Sequence, residues 1–92
     1  MFQNKFSFKD LARLAELKQT PVPVDPEKLF SDGNTLAILG KFRRYARRAG
    51  WSFNDSRLLV DYLLQHEYWV LLGILQEYVE FQEDEEEEVV WV

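Results

Sequence analysis

The sequence predicts an all-α fold: a small helical bundle of three main helices plus one short helical turn, followed by an acidic C-terminal tail that ends in an apolar tip. Three observations carry the prediction. Helix start and stop signals bracket residues 8–19 and 35–49, apolar residues recur at helical spacing within both, and residues 55–82 are apolar on every side of a helix. Residues 1–82 are expected to form a single helical domain and residues 83–92 the tail.

The first helix opens on a capping box. Ser7 stands three residues before Asp10, so hydroxyl and carboxylate can each take one of the amides that a helix start leaves open. Phe6 and Leu11 occupy the positions of a hydrophobic staple, and Phe8, Leu11, Ala12 and Ala15 fall on one stripe with Leu14 beside it. "TPVPV" ends the helix, because Pro21 and Pro23 force an extended path. In "DPEKLF", Asp25 is an N-cap, Pro26 the first helical residue and Glu27 a match for the helix dipole. The "SDGN" turn then stops this short segment.

The second long helix is predicted over residues 35–49, with Gly50 as its stop. Ile38, Phe42, Tyr45, Ala46 and Ala49 gather on one side, while Lys41, Arg43, Arg44, Arg47 and Arg48 spread over an arc of roughly 160° opposite. Asn54 is the expected N-cap of the third helix, with Phe53 and Leu58 set for a staple. A continuous helix of about 28 residues would be roughly 40 Å long, too long for two short helices to wrap. The rod is therefore expected to break near "QHEYW" (residues 65–69) or Gly73, leaving part of its apolar surface for a partner.

Composition narrows the function. With no cysteine in 92 residues, disulfides and thiolate metal sites are excluded, and the absence suits a cytoplasmic location. Asp61, His66, Glu67, Glu77 and Glu80 interrupt the most apolar stretch, so no membrane span is expected. All eleven bases precede residue 58, where six acids leave a balance of +5; the remaining 35 residues hold ten acids and no base. Such asymmetry bears on partners and association rates.

Catalytic chemistry has little to work with. His66 is the only histidine, and "HEYWV" lacks the second histidine that a zinc-protease helix needs, having Val70 there. Carboxylates at helical spacing, such as Glu77 with Glu80, lead into a charge run and do not flank a cleft. The four glycines form no phosphate loop. A non-enzymatic protein without cofactor or metal is expected.

Two binding readings remain. In the first, the chain is a small interaction protein, an inhibitor or adaptor. Its protein partner meets the apolar long helix and the tail: Glu83, Asp84, Glu85, Glu86, Glu87 and Glu88, then Val89, Val90, Trp91 and Val92. The acids would steer the encounter, or imitate a nucleic-acid backbone, and the tip would anchor it or add a strand to a sheet edge. In layout these ten residues resemble the tails by which single-stranded DNA-binding proteins recruit partner enzymes. The resemblance stops there, since the helical remainder shows no sign of those proteins' five-strand barrel. In the second reading, Lys41, Arg43, Arg44, Arg47 and Arg48 bind nucleic acid and the tail competes for them. A homo-oligomer through residues 62–79 is a linked expectation of the first.

Overall fold

The computed structural model describes residues 5–82, and the predicted tail, residues 83–92, lies outside them. The described chain is mostly helical with one small strand pair. In order it forms α1 (Phe8–Leu17), β1 (Val22–Val24), α2 (Pro26–Leu29), α3 (Thr35–Arg48), α4 (Phe53–Leu63) and α5 (Tyr68–Leu75). A 3₁₀ turn (Gln76–Tyr78) then leads into β2 (Val79–Phe81).

The helix starts follow local chemistry. Ser7 and Asp10 form the predicted box, with the Ser7 amide donating to the Asp10 carboxylate at 3.1 Å and the Asp10 amide to Ser7 Oγ at 3.0 Å. The stripe that α1 buries is not the predicted one. Leu14 and Leu17 face the core, whereas Phe8, Ala12 and Ala15 are exposed. The rotation follows from the core that α1 meets, which takes Leu14 and Leu17 and leaves Phe8 and Leu11 exposed. Asp25 and Asn34 cap α2 and α3 through their side chains. The cap of α4 is Ser52, not Asn54: the Asp55 amide donates to Ser52 Oγ at 3.0 Å, so the helix begins two residues early.

The predicted long third helix is two helices and a strand. After α4 the Gln65 amide bonds the Tyr62 carbonyl and the His66 amide the Leu63 carbonyl, both three residues back, which tightens and ends the helix. The His66 ring also approaches the Tyr62 carbonyl, with Nδ1 3.2 Å away and its ring edge-on to Tyr62. The helix thus ends without glycine or proline, through the three-residue bonds that tighten its last turn. Glu67 turns extended, and α5 folds back so that Leu59, Leu63, Leu71 and Leu75 share one core with Val22, Leu29, Ile38 and Phe42.

The mostly helical fold agrees with the expectation, and the helical reading fails only beyond Tyr78, where β2 forms. It pairs in parallel with β1, in the register Val22 with Val79, Pro23 with Glu80 and Val24 with Phe81. Extended β1 carries backbone groups that a helix cannot satisfy, and the β-branched and aromatic Val79 and Phe81 suit a strand that supplies partners. The Gln82 amide, 2.7 Å from the Val24 carbonyl, extends the pairing. Tyr78 locks this end of the chain to α1, its hydroxyl donating to the Leu14 carbonyl at 3.0 Å in a buried setting. Lys18 and Glu77 add an exposed ion pair at 2.9 Å beside it.

Candidate functional site

The end of α3 is built to place side chains. The Trp51 amide bonds the Ala46 carbonyl (2.9 Å) and the Gly50 amide the Arg47 carbonyl (3.1 Å), the two bonds of a Schellman motif. Gly50 has φ +97°, a left-handed conformation that glycine adopts without penalty. The motif swings Trp51 back under α3, where its ring meets Phe42 edge-on at 5.6 Å and Nε1 donates to the Thr20 carbonyl at 3.2 Å. Ser52 then starts α4 at once, which brings Phe53 alongside Arg43.

The result is a cleft of about 210 Å³ between α3 and the first turn of α4, lined by Gly40, Arg43, Arg44, Arg47, Trp51, Phe53 and Ser56. The Arg43 guanidinium lies over the Phe53 ring, 4.8 Å from its centroid, while 57% of Phe53 stays exposed. Cation and ring together make a flat platform.

The five predicted cations separate into two groups. Arg43, Arg44 and Arg47 line the cleft. Lys41 turns away, donating to the Lys28 carbonyl (3.1 Å) and to Ser31 Oγ (2.9 Å), so it caps α2. Arg48 lies over the Tyr45 ring at 5.9 Å and does not line the cleft. Among the described residues, none of the four arginines of α3 has a carboxylate within ion-pair distance. Three bases elsewhere do: Arg13 holds Asp55 and Glu16, Lys18 holds Glu77, and Arg57 approaches Asp61. Among the described residues, the charge on this face has no carboxylate partner.

Arg13 grips Asp55 with two parallel bonds, Nε to Oδ1 at 3.0 Å and Nη2 to Oδ2 at 2.7 Å, tying α1 to the first turn of α4. The bonds from Arg13 hold the Asp55 carboxyl below its ordinary range, against a smaller opposing effect of burial. Asp55 is thereby favoured in its ionised form and occupied by Arg13.

A second surface lies at the other end of α4. Every residue of α5 is apolar or glycine. Leu71 and Leu75 face the core, while Trp69 is 76% exposed, Val70 43%, and Leu64 at the end of α4 48%. At 100° per residue Trp69, Gly73 and Val70 share one arc of about 100° on the outer side of α5. Sequence reasoning placed a partner surface in this region without identifying its residues. Phe53, Trp51, Gly40 and Ser56 were missed as cleft residues; the aromatic pair in "RRAGWSF", immediately after the basic helix, was the available signal.

Among the described residues no three potential metal ligands come together, and no helix is long and apolar enough to cross a membrane. No family model matches the chain, and neither curated proteins nor solved structures give a match.

Proposed function

We propose that this chain is a non-enzymatic interaction protein, an inhibitor or adaptor, that binds a protein partner through the outer face of α5. One observation carries the reading: an eight-residue helix without a charged side chain presents Trp69, Val70 and Gly73 to solvent. A helix apolar on all sides is ordinarily buried on all sides; here Leu71 and Leu75 are buried and Tyr68, Leu72 and Ile74 partly buried, while Trp69, Val70 and Gly73 stay exposed. Tryptophan is also the residue type most enriched among the energetic anchors of protein interfaces. Tyr68 steadies Trp69, its ring edge-on at 5.1 Å and its hydroxyl donating to the Gly33 carbonyl at 3.1 Å. The acidic residues 83–88 belong to the same half of the chain and would steer approach to a basic partner.

The test compares wild type with Trp69→Glu in nuclease-treated capture from native lysate, alongside mass measurement by light scattering. A partner, or a second copy of the chain, held by wild type and lost by Trp69→Glu supports the proposal. Identical capture by both proteins, or a wild type that is monomeric and captures nothing, refutes it.

A further inference from the structure

We propose that the cleft between α3 and the start of α4 binds single-stranded nucleic acid, with phosphates on Arg44 and Arg47 and a base stacked on the Arg43–Phe53 platform. This goes beyond the partner reading and uses none of its residues.

The charge is available. Arg43, Arg44 and Arg47 converge on one concavity, and none is engaged by a carboxylate among the described residues. Asp55, in the first turn of α4, is itself held by Arg13 through two bonds. Guanidinium groups pair with phosphate oxygens in a planar, two-bond geometry that lysine cannot reproduce, and the one lysine of this helix face is diverted to α2.

The shape selects the strand state. A cavity of about 210 Å³ is on the scale of one flat base and is far too small for a duplex. A base within a duplex has both faces covered by its neighbours, so a stacking platform has nothing to take hold of. An unpaired base can leave its stack, and aromatic rings and arginine planes are the surfaces on which such bases settle. Phe53 is the decisive residue, because an exposed ring under a guanidinium has no evident part in the core. An acidic peptide would engage the arginines equally well, yet it would leave the ring and the concavity unused.

The test is fluorescence anisotropy with the full-length chain at pH 7, using labelled twelve-nucleotide oligothymidylate and oligouridylate, which also separates DNA from RNA. Two neutralised phosphates predict a logarithmic salt slope of about −1.4, a weakening of about 7-fold between 50 and 200 mM salt. Arg44→Gln with Arg47→Gln should flatten that slope. Phe53→Ala should weaken binding about 5- to 150-fold, the range measured for loss of one base stack, and Phe53→Trp should restore it. Circular dichroism checks that each variant keeps its helices; all three positions are exposed, so folding should survive. Unlabelled duplex and the peptide EDEEEE serve as competitors, and both should compete at least about tenfold less well than the unlabelled single strand. Absence of wild-type binding at 50 mM salt overturns the proposal. So does a Phe53→Ala variant that binds normally, a duplex that competes equally, or a peptide that competes equally and marks the cleft as an acidic-peptide site.

Discussion

Removing one oxygen atom tests how the two ends of the described chain are joined. The helix α1 leaves its last carbonyls without internal partners. Thr20 and Gln19 amides serve two of them, at Leu17 and Glu16, and the Tyr78 hydroxyl serves Leu14 from 64 residues away. Tyr78 is 2% exposed and Leu14 3%, so water cannot replace the lost donor in Tyr78→Phe. A buried acceptor left unpaired costs about 1–3 kcal/mol. Some relaxation of the exposed 3₁₀ turn brings the expectation to about 1–2 kcal/mol, which in a chain of this size lowers Tm by about 5–15 °C. The phenol also carries a pH signature. Burial, the largest influence, pushes the Tyr78 pKa above its ordinary value of about 10, with Lys18 opposing. The folded state thus favours the neutral phenol: that stability is complete below about pH 10 and is lost as pH rises through the raised value. Thermal melts by circular dichroism between pH 7 and 11 should show a lower Tm for Tyr78→Phe at neutral pH and a shallower decline at the alkaline end. Tyr45→Phe, whose hydroxyl makes no hydrogen bond among the described residues, is the control. A Tyr78→Phe melt within about 1 °C of wild type at every pH would refute the bond and the burial argument together.

Two further perturbations examine the elements that frame the cleft. Ser52→Ala should lower stability in urea by about 1 kcal/mol, whereas Asn54→Ala should stay within about 0.5 kcal/mol, and a reversed pair would return the cap to Asn54. Asp55→Asn should flatten the acid limb of the stability profile. With its carboxyl held low by Arg13, Asp55 contributes stability that is present above the unfolded pKa of about 3.9 and lost as pH falls through the depressed folded value. Urea midpoints measured from pH 2 to 6 decide this, and an unchanged acid limb would count against the paired geometry.

What was legible in the sequence was mainly local. The Ser7 box, the Asp25–Pro26 start and the Gly50 stop are each written in a few consecutive residues, and each appears in the structure as read. The misreadings share one cause, since each depended on a distant partner. Residues 79–81 have a neighbour to pair with only because β1 lies alongside, 57 positions earlier in register. The rotation of α1 was decided by the core it meets. Asn54 and Ser52 are both good caps by type; Ser52 prevails because the Schellman turn delivers the chain there already extended. For the cleft, helical spacing correctly assembled the basic face but could not show that Lys41 would be drawn off to α2. Nor could it show Phe53 coming under Arg43, which needs the path of the chain between two helices.

That path also separates the two proposed surfaces. Phe53 begins α4 and Leu64 follows its last residue, so the cleft and the outer face of α5 lie toward opposite ends of one helix of eleven residues. Such a helix is about 16 Å long, well beyond the separation at which unconnected substitutions ordinarily act independently. Its buried side, Ser56, Leu59 and Leu63, is seated in the core, so the helix holds the surfaces apart as a rigid spacer. Trp69→Glu should therefore leave oligonucleotide affinity unchanged, and Phe53→Ala should leave partner capture unchanged. Were either substitution to affect both activities, the two faces would have to belong to one continuous binding surface. A protein that keeps a cationic, aromatic cleft at one end of a spacer and an apolar face at the other can hold a nucleic-acid strand and a protein together. Under the two proposals together the arrangement would suit an adaptor better than an inhibitor, which needs only one of the two surfaces.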